Sequence, residues 1–158
     1  MANAAGLCSS FKSEVMLGAH QFGTVTIVSR TSLTAPTTDV LKGALFLVSA
    51  SRGVADTTYN TTGELAGTGN YTQGGVAVTN ATAPSTSGTA GIWTPSGTLS
   101  WGPTFTSSGA FDCLVLYNST QSSRQISVHT FSSQSITSAT FTLSMPTNAP
   151  GTALIQIS

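Results

Sequence analysis

FDCLVLYNSTQSSRQISVHTF, running from Phe111 to Phe131, decides how the rest of the chain is read. Its first half, Phe111 to Asn118, is strand-sized and apolar, and its second, Gln125 to Phe131, alternates apolar Ile126 and Val128 with polar residues. Asn118 to Arg124 between them is all Asn, Ser, Thr, Gln and Arg, a composition that breaks regular structure. Period two is therefore the rule here. Leu114, Leu116, Ile126 and Val128, with Phe141 and Leu143 on the next candidate strand, sit in phase and are expected to face one core, with Cys113 pointing the other way from Leu114.

The same reading extends outward. Candidate strands cover 24–28, the denser run 43–51, the short run 76–79, 92–101 with a break near Pro95-Ser96-Gly97, 136–145 and 153–157. About eight or nine strands at near-even spacing, with no helical pattern between them, predict an all-β antiparallel sandwich or jelly-roll-like domain. Trp93 and Trp101 flank the break and are even in separation, so a hairpin there would put both on one side of a sheet. Two stretches read as loops: 29–39, and GELAGTGNYTQGG from Gly63 to Gly75 with its five glycines. The stretch ATAPSTSGTA from Ala81 to Ala90 has the composition of a linker inside the domain.

The N-terminus follows another pattern. Leu7, Phe11 and Val15 are spaced four apart on one helical face, with Asn3 as a plausible cap, which predicts a short helix that must dock because it is too short to be stable alone. The expected organisation is an N-terminal helical or arm segment over residues 1–21 and a β-sandwich domain over 22–158.

With 158 residues, a single domain can bury roughly 68–70% of its unfolded surface. Only 6% of residues are charged, the formal net charge is zero, and Ser and Thr make up about a third of the chain. An ordinary domain carries about 25% charged residues, and a monomer gains solubility from net charge away from zero. A polar but nearly uncharged surface points to association with other subunits. The five basic residues, Lys12, Arg30, Lys42, Arg52 and Arg124, are scattered and matched by five acids, so no phosphate-tracking stripe exists and direct nucleic-acid binding is not expected. No apolar run reaches the roughly 18 residues of a membrane span. The first residues lack a basic segment ahead of an apolar one, so no secretory signal is read there, and a cytosolic origin is expected. The Asn-x-Ser/Thr matches at Asn60, Asn70, Asn80 and Asn118 arise readily in a chain so rich in Ser and Thr.

Catalytic chemistry finds few residues to use. A hydrolytic triad needs a base and an orienting carboxylate near a nucleophile, yet the histidines are His20 and His129 and no G-x-S-x-G elbow is present. His129, placed with Arg124 toward the polar side of its strand, reads as a surface or subunit-contact residue. The acids Glu14, Asp39, Asp56, Glu64 and Asp112 are isolated in sequence, which disfavours a glycosidase pair or a calcium cage. Cys8 and Cys113 fit no metal or redox spacing and read as buried thiols. No enzyme activity, metal or cofactor is expected. Leu7, Phe11, Val15, Tyr59, Tyr71, Arg124 and His129 are the candidate interface residues. Trp93, Trp101 and Tyr71 are the candidate stacking surface should the protein instead bind a glycan.

Four stretches carry a resemblance: MANAAGLCSSFKSE at the start, YNTTGELAGTGNYTQGG from Tyr59 to Gly75, LYNSTQSSR from Leu116 to Arg124, and FTLSMPTN from Phe141 to Asn148. Together they resemble small β-sandwich virion accessory proteins of tailed bacteriophages, the capsid cement or decoration proteins. The resemblance implies a protein made in the bacterial cytoplasm and seated on the outer capsid surface, commonly as a homotrimer bound to the major capsid protein. A tail-associated adaptor and a glycan-binding module of a tail tip or spike are the alternatives. The stretch 29–39 looks longer than in that pattern.

Overall fold

A computed structural model describes residues 3–16, 20, 22–23, 38–79 and 82–158. Ten strands and one helix are assigned among them: β1 (Gly6–Leu7), α1 (Ser9–Met16), β2 (Leu41–Leu47), β3 (Val76–Ala77), β4 (Ser85–Ser87), β5 (Ala90–Trp93), β6 (Leu99–Phe105), β7 (Phe111–Asn118), β8 (Arg124–Gln134), β9 (Ala139–Leu143) and β10 (Ile155–Ile157). They form a five-stranded sheet in the order β1-β8-β7-β2-β3, a three-stranded sheet β10-β5-β4 and a two-stranded sheet β6-β9. Every pairing is antiparallel, so the fold is all-β and consistent with a β-sandwich. The expected strand at 24–28 and all but the last two residues of the expected loop at 29–39 lie outside the described residues.

β7 and β2 are buried on both faces, which is why their sequences are dense with apolar residues rather than alternating. One face, with Leu41, Leu45, Leu114 and Leu116, joins Trp93, Leu99, Trp101, Phe105, Phe141 and Ile155 from the two smaller sheets in the main core. The opposite face, with Ala44, Phe46, Cys113, Val115 and Tyr117, forms a second, smaller cluster. Cys113 thus points away from Leu114, as its strand position requires.

Val128 departs from expectation. Leu116 pairs with Ser127 and Tyr117 with Gln125, leaving Ile126 as an extra residue in β8. This one-residue bulge breaks the alternation. Ile126 stays in the main core while Val128, opposite Val115, joins the second cluster. Leu143 is only partly buried against the main core.

The N-terminal segment also differs from expectation. Leu7 is not helical: it pairs with Ser127 on the edge of the large sheet. The helix begins two residues later, and Asn3 does not cap it. The Asn3 side chain instead donates to Leu47 O and Asp112 Oδ1 and accepts from Arg52 N–H. Phe11 docks as predicted, 1% exposed, with its ring 5.1 Å from His20 and 5.9 Å from Phe22.

The stretch around Pro95 is not a hairpin. β5 pairs with β4 and β10, whereas β6 pairs with β9, so Trp93 and Trp101 belong to different sheets. Pro95 lacks an N–H for ladder pairing and Gly97 adopts φ 93°; the chain leaves one sheet there and enters another. Ser85–Ser87, inside the linker-like stretch, forms the edge strand β4.

Candidate functional site

The glycine-rich stretch 63–75 lies along the sheet. Leu47 N donates to Gly63 O and Leu65 N to Leu45 O, and Glu64 bridges Phe46, so residues 63–65 extend the edge of β2 beyond β3. Gly75, at φ 68°, passes so close to β2 that a Cβ there would fall onto the Gly43 carbonyl. Only glycine permits that approach at that backbone angle.

Glu64 is carried by this pairing into the protein, 4% exposed. Its carboxylate accepts from Tyr59 Oη at 2.5 Å, Tyr71 Oη at 2.7 Å and Gly74 N at 2.7 Å. Tyr71 Oη in turn accepts from Leu45 N–H at 2.9 Å, and Tyr117 Oη donates to Gly74 O at 2.7 Å. Burial and the neighbouring carboxylate push the Tyr59 and Tyr71 phenols well above the usual range, and Tyr117 up to about 12. All three remain protonated donors at any physiological pH. A buried carboxylate is tolerated only when donors surround it; the centre formed by Glu64 and these tyrosines meets that need and ties the loop to β2 and β7.

Arg52, 5% exposed, organises the adjacent loop. Its guanidinium lies 4.4 Å above the Phe46 ring. Nη2 reaches Asn60 Oδ1 at 2.6 Å, Thr62 O at 2.8 Å and Asn60 O at 2.9 Å, while Nη1 is 3.7 Å from Asp56. Planar donors and a stacked cation suit this role.

His129 adjoins two clefts. One, of about 240 Å³, is lined by Leu114, Phe131, Leu143, Met145 and Leu154. The other, of about 320 Å³, is lined by Gly6, Leu7, Ser127, Val128 and Leu154. His129 Nε2 and Ser127 Oγ are 2.8 Å apart. Desolvation by burial lowers the imidazole pKa to about 4, so the ring is neutral at pH 7. The spacing suits a nucleophile and its base, but Ser127 is fully buried, and the third group that would orient the base is not among the contacts described for His129. The histidine is half-buried and lines clefts rather than lying on the open polar side.

The remaining predicted residues are dispersed. Val15 is exposed and lines an apolar cleft of about 140 Å³ with Phe11, Trp93, Ile155 and Ile157. Arg124 is exposed at the start of β8. Tyr59 is half-buried and lies flat on Tyr117. The proposed stacking surface is corrected by burial: Trp93, Trp101 and Tyr71 are 2%, 3% and 4% exposed and present no ring face to a sugar. The sequence pointed to Tyr59 and Tyr71 but missed Glu64, the residue that joins them; an acid inside a glycine-rich stretch beside two tyrosines was the available signal.

Among the described residues, no group of three or more His, Cys, Asp or Glu side chains is placed to hold a metal ion, and no helix is long and apolar enough to cross a membrane. Comparison of the chain with family models, with characterised proteins and with solved structures found no match.

Proposed function

We propose that this chain is a structural component of a tailed-phage particle, a decoration protein that sits on the outer capsid and clamps neighbouring major-capsid subunits, itself a homotrimer. One observation supports this beyond the resemblance in sequence. Among the described residues most charges are drawn inward: Asp39, Arg52 and Glu64 are buried, Lys42 is half-buried, Asp56 lies beside Arg52, and Asp112 accepts from Asn3. Among the side chains described, Arg124 is the one charged group classed as exposed. The surface formed by the described residues is therefore mainly hydroxyls, amides and backbone, together with exposed Val15, Val40, Val48, Val54 and Ile157. Such a surface suits wide hydrogen-bonded contacts with a few apolar anchors. It is poorly suited to long-range steering of charged ligands.

Two measurements test this reading. The copy number per purified particle separates the capsid, which offers many equivalent positions, from a tail ring, which offers few. Particles stripped of the protein should lose thermal and osmotic stability and regain it on adding the protein back. Unchanged stability of stripped particles would overturn the clamping role.

A further inference from the structure

Cys8 and Gln125 meet in the interior, 117 positions apart in sequence, with Gln125 Nε2 3.3 Å from Cys8 Sγ. Both residues are 0% exposed. β1 and the bulge in β8 bring them together: Leu7 pairs with Ser127, and Cys8 N donates to Ile126 O at 3.0 Å. The Gln125 amide is poorly satisfied for a buried group. Among the described residues its Oε1 has no hydrogen-bond partner, and its Nε2 meets the sulfur and Gly53 O at 3.5 Å. Buried primary amides ordinarily fill most of their bonding sites. Cys8 immediately precedes the first residue of α1, the end at which a helix dipole favours negative charge, and neither cysteine is in a disulfide.

We propose that Cys8 and Gln125 close an internal thioester. The Cys8 thiolate adds to Gln125 Cδ, the carbon bonded to Nε2, after the sulfur turns from the N–H edge of the amide, where it now lies, onto the face of that carbon. The Sγ–Cδ bond forms, the Cδ–Nε2 bond breaks, and the thiol proton leaves with the nitrogen as ammonia. No oxidant or reductant is consumed. Gly53 O, already facing Nε2, accepts a hydrogen bond from the departing amine. Closure removes the NH2 group from the interior and leaves the unpartnered Oε1 as a thioester carbonyl, a weaker acceptor than an amide and so less costly to bury without a donor. Exclusion of water from the pair protects the product from hydrolysis. The bond ties the start of the chain to β8, independently of what the protein binds.

The test is the intact mass and thiol count of the full chain, purified without amine buffers and denatured in acid. The expected mass is below that of the sequence by one ammonia, with one alkylatable thiol, Cys113, instead of two. Methylamine added on unfolding should add one methylamine at residue 125, located by fragmentation, and release the Cys8 thiol. Cys8→Ala and Gln125→Ala should each retain the ammonia and take up no methylamine. The full sequence mass with two alkylatable thiols would overturn the proposal, as would an ammonia loss that maps to an asparagine. If a variant fails to fold, the wild-type mass, thiol count and methylamine adduct decide the matter alone.

Discussion

Tyr71 donates to Glu64 across a buried hydrogen bond of 2.7 Å, and the same phenol oxygen accepts from the backbone N–H of Leu45. One hydroxyl thus closes the edge of β2 and holds a buried carboxylate. The glycine-rich loop, which supplies both residues, is part of the fold rather than an appendage to it.

Tyr71→Phe removes that hydroxyl, strands the buried Leu45 N–H and leaves Glu64 Oε1 with the Gly74 N–H as its remaining donor. The expected loss is about 1–3 kcal/mol in urea denaturation, the cost of stranding a buried polar group. A variant as stable as the wild type would show that water or Tyr59 replaces the phenol.

His129 sets a dependence on pH. Its pKa in the folded protein is about 4 against 6.5 when unperturbed, so between these values the unfolded chain binds the proton more readily than the folded one. Stability contributed by the neutral ring is complete above pH 6.5, falls as pH drops toward about 4, and levels off below. Urea midpoints measured across this window should fall less steeply for His129→Gln than for the wild type. Parallel slopes would assign the acid sensitivity to other groups.

Phe11 anchors α1, which is too short to persist undocked. Phe11→Ala should cost about 3–5 kcal/mol and increase amide exchange throughout Ser9–Met16. Retention of helix protection in this variant would place the anchor elsewhere.

The proposed trimer should be almost indifferent to salt, because screening acts on exposed charges and few are present. Sedimentation at micromolar protein should give one trimeric species from low to high ionic strength. A monomer, or a trimer that dissociates steeply as salt rises, contradicts the proposal.

Much of the architecture was legible in the residues themselves. Phe111–Asn118 forms the strand its pattern predicts, β9 lies within the stretch expected of it, and β8 contains the expected 125–131 but runs on to Gln134, because alternation and apolar density are local properties and the turn residues between them punctuate without tertiary help. The docking of Phe11 was legible too, since a short helix with one large apolar residue has no other stable place for it. Other features depended on contacts between distant segments. The extra residue at Ile126 sends Val128 to the opposite face, and no local signal marks a bulge among residues that all favour strands. Leu7 was drawn from a helix into a strand by an open edge on β8. Trp93 and Trp101 were divided between two sheets because strand partners, not sequence spacing, decide sheet membership. Glu64 became a buried hub, and Cys8 came to rest on Gln125, only when segments far apart in sequence closed around them. Composition determined what kind of surface and layers this chain could build; the tertiary structure decided which polar groups were enclosed, because burial is a property of the whole packing rather than of any one residue.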